Sequence, residues 1–304
     1  MLGQALPARA ADQKLAQRKL KVALFSKHLQ FLAGEKLART VADIGFDAID
    51  ITVRKRHGGH IDPARVRQDL PPLVGFIRKH GLEVSLLATD TVDVESPYLE
   101  DILQTMKSLG LRNYRFGNMR YAEGQPYPAQ LEQMKSRVAK LVALNKRYQA
   151  CALYHIESGA RTVGSSVLDL YMLLKDFDPQ YVGITYDLEH AVEAGGGGSW
   201  MNSFRFLGPH VLGIAVKDFD WAKDASGIWR PQLKPLGEGS IPMPQFFAMV
   251  AESSFSGPVE IQFEYLMGGE KDSEGTGVVD RQAVYSGMKR DLGKVRGYLA
   301  QAHL

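Results

Sequence analysis

The chain alternates short runs of β-branched and aromatic residues with longer segments of helical periodicity. Eight of these runs are typical of strands and span residues 21–26, 48–53, 83–89, 113–118, 150–156, 182–187, 211–218 and 258–264. Several are apolar at nearly every position, as expected for parallel strands that are covered on both faces. The pattern therefore predicts eight buried parallel strands.

Segments between the strands carry apolar residues at i, i+3, i+4 and i+7, which predicts helices. The clearest of them span residues 35–45, 65–81, 99–110 and 131–149. Three glycines stand where helix C-caps are expected, namely Gly45, Gly81 and Gly110. Eight strands that alternate with helices favour a closed (β/α)8 TIM barrel over an open doubly wound sheet. No glycine-rich phosphate-binding motif follows the first strand, which disfavours a dinucleotide-binding fold.

Residues 20–304 are expected to form one barrel domain, and residues 1–19 a polar leader. The leader lacks the apolar core of a signal peptide, although Ala-Arg-Ala at 8–10 resembles a cleavage site. It is interpreted either as the remnant of an export signal or as a frayed terminus, so a cytoplasmic or a periplasmic location is expected. No apolar run approaches the roughly 20 residues of a membrane helix, and no membrane partner is expected.

Composition narrows the class of ligand. The 37 Lys and Arg residues exceed the 34 Asp and Glu residues by a net charge of only +3, which is too weak to imply nucleic-acid binding. A small-molecule substrate is therefore expected. Cys151 is the single cysteine, so any metal must be bound by histidine and carboxylate side chains.

The connections that follow strands are often long and polar, whereas those that precede strands are short. In a TIM barrel the active site lies at the carboxyl ends of the strands. The polar residues collected there are His28, Arg54, His60, Arg115, His155, Glu157, Asp187, His190, Lys217, Asp218, Glu260 and Glu264. Each alone has an ordinary explanation as a helix cap or an ion-pair partner. Several carboxylates and imidazoles in one barrel mouth, however, imply a bound cation or a proton-transfer task.

Roles can be assigned by residue type. The candidate ligands of a divalent metal are Glu157, Asp187, His190 and Glu264. The candidate acids and bases are His155, Glu157, Lys217 and Glu264. The candidate substrate-binding residues are His28, Arg54, His60, Arg115 and His190. Such a metal would polarise a substrate carbonyl or hydroxyl and ease removal of a neighbouring proton.

Five short motifs make the segment from about residue 20 to 300 resemble the xylose-isomerase-like barrels of the sugar phosphate isomerase/epimerase family. They are IGFDAIDI (44–51), DLEHA (187–191), VKD (216–218), PLGEGSIP (235–242) and EIQFEY (260–265). The wider superfamily includes ketose 3-epimerases, inosose dehydratases and repair enzymes of the endonuclease IV type. Each motif is weak alone, and their order and spacing carry the resemblance.

The resemblance implies a divalent metal, Mn, Co, Mg or Zn, held by an acid on the fifth strand, Asp187, a histidine on the seventh strand and Glu264. This sequence departs from the family pattern at two of the four ligands. The usual Glu-Asn-His of the fifth strand is replaced by His155-Ile156-Glu157, and Ala215 stands where the seventh-strand histidine is expected.

The leading hypothesis is a sugar isomerase or epimerase that removes a proton next to the carbonyl of a ketose or keto-sugar with help from a divalent metal. A keto-sugar lyase or dehydratase of the same fold, and a non-catalytic sugar-binding barrel, remain alternatives. A repair endonuclease is disfavoured, because the chain has only 8 histidines and no basic run beyond residues 54–57. The resemblance also hints at a homo-oligomer.

Overall fold

Eight parallel strands close into a barrel in the computed structural model, which describes residues 19–55, 59–267 and 280–304. The order around the barrel is β1-β10-β7-β6-β5-β4-β3-β2. Its strands are β1 (Val22–Phe25), β2 (Ala48–Val53), β3 (Glu83–Thr91), β4 (Asn113–Phe116), β5 (Cys151–His155), β6 (Val182–Asp187), β7 (Val211–Val216) and β10 (Val259–Ile261). The predicted (β/α)8 TIM barrel is thus confirmed.

The helices surround the barrel and cover the outer face of its strands. They are α1 (Gly34–Ile44), α2 (Val66–Lys79), α3 (Leu99–Leu109), α4 (Tyr127–Tyr148), α5 (Val167–Leu174), α6 (Leu188–Leu207), α7 (Met243–Glu252) and α8 (Arg281–Gln301). Gly45 and Gly110 are left-handed C-caps, as predicted. The cap of α2 is His80, and Gly81 follows it with a φ of 76°. No helix among the described residues is long and apolar enough to cross a membrane.

The long connection after β7 contains a hairpin that the sequence pattern did not reveal. Strands β8 (Asp218–Lys223) and β9 (Trp229–Lys234) pair antiparallel there. The sequence pattern predicts only a long polar connection there and no strands. Trp221 and Trp229 are exposed, and Pro231 lies within the second strand opposite Trp221.

Alternation along the strands separates an inner from an outer set of side chains. On β5, Cys151 and Leu153 belong to a small cluster inside the barrel, whereas Ala152 and Tyr154 join the large core beneath the helices. His155, two residues beyond Leu153, therefore points inward at the carboxyl end of the strand. On β6, Asp187 and Gly183 are four residues apart and therefore point to the same side. A Cβ added at Gly183 would meet Leu212 inside the barrel, so Asp187 also points inward.

Asp218 fixes the backbone immediately after β7. Its buried carboxylate accepts hydrogen bonds from four backbone amides, those of Phe219, Gly237, Gly239 and Ile241, at 2.9 to 3.2 Å. Three of these amides belong to the PLGEGSIP motif, so the motif and the VKD aspartate form one structural unit. Because Lys217 directly precedes Asp218, this unit also fixes the position of the lysine.

Helix α6 begins beside Asp187, whose Oδ1 accepts from the backbone amide of His190 at 3.2 Å as an N-cap. Gly196 interrupts the helix with a φ of 67° and a ψ of −172°. Only glycine adopts this conformation readily, which explains part of the glycine run at 195–198. About two turns of α6, residues 188–195, are therefore separated from the rest of the helix.

One expectation falls almost entirely outside the described residues. The polar leader predicted for residues 1–19 is described only at Lys19.

Replacing Gly239 with alanine should destabilise the loop after β7. The added Cβ would lie 2.3 Å from Oδ1 of Asp218 and 2.4 Å from the carbonyl oxygen of Phe219, so the backbone must move. We expect a loss of about 1–3 kcal/mol, typical of overpacking, in thermal unfolding.

Gly293→Ala is the matched control, because no atom lies within 4 Å of its added Cβ on α8. It should gain up to about 1 kcal/mol from helix propensity. Equal unfolding temperatures for the two variants would contradict the assigned role of Gly239.

Candidate active site

A polar pocket of about 280 Å³ opens at the carboxyl end of the barrel. Its walls come from the ends of several different strands. It is lined by Phe25, Lys27, Arg54, Arg115, His155, Glu157, His190, Lys217, Gln262 and Glu264. Seven of the ten residues that were assigned a catalytic, metal-binding or substrate-binding role from the sequence are among these. Arg115 also borders a neighbouring cleft of about 200 Å³ at the ends of β3 and β4.

The ammonium group of Lys217 lies at the centre of the charged residues. Its Nζ is 3.4 Å from Oδ2 of Asp187 and 3.3 Å from oxygens of both Glu189 and Glu264. Burial alone would lower the pKa of Lys217, but these three carboxylates hold the pKa well above its usual value. The three carboxylates therefore favour the charged ammonium form of Lys217 in this buried position.

Asp187 lies beneath the pocket floor and is fully buried. Burial opposes its charge, but the positive charge of Lys217, together with His190 and His155, lowers the pKa of Asp187 well below its usual range. Nε2 of His155 donates a hydrogen bond to Oδ2 of Asp187 at 3.1 Å. The aspartate therefore fixes the orientation and the tautomer of His155.

His155 is 4% exposed and lines the pocket. Burial and the nearby charge of Arg115 lower the pKa of His155 in spite of the aspartate. The imidazole is therefore neutral near pH 7. Because Nε2 carries the proton that is donated to Asp187, Nδ1 retains its lone pair and can act as a base.

His190 connects Lys217 with a second group of partners. Ser158 donates its hydroxyl hydrogen to Glu193, so the contact of 3.0 Å between Ser158 Oγ and His190 Nδ1 requires Nδ1 to donate. Nε2 lies 2.9 Å from Nζ of Lys217. Burial lowers the pKa of His190, but the surrounding carboxylates raise it above its usual value. Two facing N–H donors at 2.9 Å would repel, so we assign the shared proton to Lys217.

Glu264 is held between two lysines. Its Oε1 lies 3.3 Å from Nζ of Lys27 and its Oε2 3.3 Å from Nζ of Lys217. Burial would raise the pKa of Glu264, but the two ammonium groups lower it strongly. The side chain is 27% exposed, so Glu264 is an ionised carboxylate within reach of a ligand.

Glu157 lies apart from the cluster around Lys217. It pairs with Arg115, and Asn118 can donate its side-chain amide to both carboxylate oxygens at 2.7 and 2.8 Å. Its side chain is 31% exposed and lines the pocket. Among the described residues, Asp187, Glu189 and His190 bring metal-ligand atoms within 4.8 Å of one another. Glu157 does not belong to this group.

His28 and His60 contact backbone and hydroxyl groups instead of lining the pocket. Nε2 of His28 accepts from the backbone amide of Phe263 at 3.0 Å, and burial lowers the pKa of His28 to about 3. Nδ1 of His60 lies 2.9 Å from Oγ1 of Thr52, and Nε2 lies 3.3 Å from the carbonyl oxygen of Leu29. Both rings join the ends of neighbouring strands, and their role in substrate binding stays a prediction.

Arg54 is nearly buried and borders the pocket from β2. Its guanidinium lies over the ring of Phe25, 5.6 Å from the centroid, which keeps the side chain in place. Together with Arg115 it adds positive charge to the wall opposite Lys217 and Glu264.

Three residues close to Lys217 or its partners were missed from the sequence: Lys27, Glu189 and Glu193. Glu189 lies inside the DLEHA motif, where only the first and fourth positions were considered. Glu189 and Glu193 occupy the first turns of α6, and the N-terminus of a helix that follows a barrel strand faces the pocket. That placement was the signal that could have identified both.

The donor types around Lys217 suit a divalent cation, but their arrangement does not. Asp187, Glu189 and His190 offer oxygen and nitrogen ligands, and Oε2 of Glu189 is buried without a hydrogen bond. The space between these donors, however, holds the ammonium group of Lys217, 2.9 to 3.4 Å from an atom of each. A metal bonded at about 2.0–2.6 Å would need the same position. In this arrangement the residues therefore fit a lysine ammonium group and do not fit a metal.

The family model described as a xylose isomerase-like TIM barrel matches residues 38–274. The chain therefore belongs to the xylose isomerase-like TIM barrel family, in agreement with the resemblance found in its motifs. No curated relative matches the sequence.

Solved structures share the fold along nearly their whole length. A D-psicose 3-epimerase with D-tagatose from Clostridium cellulolyticum is 12% identical, with 92% of this chain and 99% of that chain covered and a TM-score of 0.67. The probable 3-DHS dehydratase AsbF of Bacillus anthracis is 14% identical, with coverages of 89% and 98% and a TM-score of 0.66. A barrel protein of Mycobacterium smegmatis in complex with magnesium is 16% identical, with coverages of 92% and 98% and a TM-score of 0.63. At these identities the likeness shows the fold alone.

Replacing Glu189 with glutamine should change how stability depends on pH. Burial and the charge of Asp187 raise the pKa of Glu189 to about 7 although Lys217 opposes the shift. The folded protein thus binds this proton more tightly than the unfolded chain, whose glutamates titrate near 4.3. Its contribution to stability is complete at low pH and is lost as the pH rises toward 7. Relative to wild type, Glu189→Gln should therefore gain up to about 3 kcal/mol between pH 4 and 8.

Thermal unfolding over this pH range checks the prediction. Glu193→Gln is the matched control on the same helix, because hydrogen bonds from His190 lower the pKa of Glu193 instead. The control should show no such gain with rising pH. A stability difference between Glu189→Gln and wild type that stays constant with pH would refute the assigned environment of Glu189.

Proposed function

We propose that this barrel is an enzyme that removes a proton next to the carbonyl of a ketose or keto-sugar, as an isomerase or epimerase. The observation that carries the proposal is a charged lysine flanked by proton-transfer groups on two sides of one pocket. Glu264 follows β10, and His155 and Glu157 lie at the end of β5. Strands β7 and β6 lie between them in the barrel. Lys217 directly follows β7, and Asp187 is the last residue of β6.

This order suits a reaction that moves a proton from one face of a carbon atom to the other. A substrate in the pocket would have Glu264 on one side and His155 or Glu157 on the other. One group removes the proton as a base. The opposite group carries no transferable proton in the resting site, so it first takes one up from solvent and then returns it to the substrate as an acid. If both steps occur at the same carbon, the configuration inverts; if they occur at neighbouring carbons, the carbonyl shifts.

Lys217 would stabilise the negative charge that develops on the carbonyl oxygen. An ammonium group that is already oriented by Asp187, Glu189 and His190 needs little rearrangement during the reaction. We propose that the substrate oxygen takes the place of Glu264 beside Nζ. Glu264 then loses one of its two ammonium partners, and its basicity rises at the moment when it faces the substrate proton.

The arginines would bind the rest of the sugar. Arg54 and Arg115 border the same pocket and carry donors for hydroxyl or acidic groups. The pocket volume of about 280 Å³ suits a ligand of monosaccharide size, and the adjoining cleft beside Arg115 leaves room for a substituent. A homo-oligomer remains a proposal that rests on the family resemblance.

Proton exchange measured by NMR in D2O tests the reaction. D-Tagatose, the sugar in the structure of the related psicose 3-epimerase, should be tried first, followed by other ketoses and keto-sugars. Wild-type protein should introduce deuterium next to the carbonyl of at least one of them. Glu264→Gln should slow this exchange by about 100-fold or more, because it removes the base.

Glu252→Gln is the matched control, since Glu252 is an exposed residue of α7, outside the residues that line the pocket. It should exchange at the wild-type rate. A keto-sugar lyase or dehydratase would instead release an unsaturated product after the same first step. A sugar-binding barrel would bind without exchange, and its Glu264→Gln variant would lose affinity alone. A folded wild-type protein that exchanges no keto-sugar would overturn the proposal.

A further inference from the structure

We infer that the ammonium group of Lys217 replaces the divalent metal at the centre of this site, so that the protein acts without a metal ion. The catalytic part of this inference rests on the proposed function, whereas the absence of metal binding is measured independently of activity. The chain departs at Ala215 and at His155-Ile156-Glu157 from the ligand pattern that its family resemblance implies.

The contacts of Nζ have the geometry of a central cation. It lies 2.9 Å from Nε2 of His190 and 3.3 to 3.4 Å from single oxygens of Asp187, Glu189 and Glu264. These four atoms come from the end of β6, the first turn of α6 and the segment after β10. Imidazole nitrogen and carboxylate oxygen converging from several elements are a typical metal-ligand set, and here they converge on a lysine.

The sequence change on β7 accounts for this arrangement. Ala215 pairs in register with Asp187 on one side and with Glu260 on the other, so it lies within the ring of inward-facing residues. Its methyl group offers no ligand. The next inward-facing residue of the same strand is Lys217, whose backbone is fixed by the neighbouring Asp218 and its four amide partners. Lys217 belongs to the VKD motif that carries the family resemblance, so what changes at this strand end is the loss of the ligand at Ala215.

The positive charge of Lys217 also disfavours a divalent ion bound beside it. Lys217 is 3% exposed, so its charge is screened only weakly by solvent. A divalent ion bound to the same oxygens would lie within a few ångströms of the ammonium group, and the two cations would repel strongly. Binding of a metal thus requires Lys217 to leave a buried position in which all its polar neighbours are carboxylates or an accepting imidazole.

Calorimetric titration of wild-type protein with MnCl2, with metal content measured by mass spectrometry, tests the inference. Wild type should retain no stoichiometric metal and should show no binding in the micromolar range. Lys217→Met removes the central charge at similar length and frees the donors, so its affinity for Mn²⁺ should rise by about tenfold or more. Lys27→Met is the matched control, and it should not bind Mn²⁺. Among the described residues, Lys27 forms an ion pair with Glu264 but contacts none of the other three donors.

Circular dichroism must show that each variant is folded, and if Lys217→Met fails to fold, the wild-type titration decides alone. Stoichiometric Mn²⁺ in wild type that is lost in Asp187→Asn would overturn the inference and leave the proposed reaction standing. A folded Lys217→Met protein without increased affinity would also overturn it. Where a keto-sugar substrate has been found, deuterium exchange by wild type should continue in excess EDTA, and its loss there would contradict metal-free action.

Discussion

The ammonium group of Lys217 lies within 3.4 Å of three carboxylates that the barrel places at its carboxyl end. Asp187 and Glu189 are almost completely buried, and an uncompensated carboxylate in such a position costs several kcal/mol. The charges of Asp187 and Lys217 are therefore stable only together. Their mutual dependence fixes the shape of the pocket, because every group that faces the pocket near them is oriented by one or the other.

Secondary structure brings these charges together from distant parts of the chain. The alternation of β6 points Asp187 inward, and the same aspartate caps α6 and so sets the position of His190. Asp218 holds the backbone after β7 through the PLGEGSIP motif, which keeps the adjacent Lys217 in register. Asp187 and Asp218 thus each serve two purposes. Each fixes the local backbone, and each thereby sets the position of a neighbouring charged or titratable residue.

The barrel was predictable because its signals are local. Each buried strand is a short apolar run, and each of the first helices shows its own periodicity, so neither depends on remote contacts. The hairpin after β7 was missed because its residues are mostly polar, and its two tryptophans, Trp221 and Trp229, are exposed. Glu189 was missed because its ion pair with Lys217 joins the first turn of α6 to the end of a different strand. Such a contact is not visible in a local sequence pattern. His28 and His60 look like ligands in sequence, but their ring nitrogens contact Phe263, Thr52 and Leu29.

A crystal structure of the wild-type protein grown with MnCl2, with anomalous diffraction recorded for manganese, tests the central claim most directly. The account predicts no anomalous peak among Asp187, His190 and Glu264, with Nζ of Lys217 in hydrogen-bonding contact with this group. A manganese peak about 2.0–2.6 Å from those side chains, with Lys217 displaced from the centre, would contradict it.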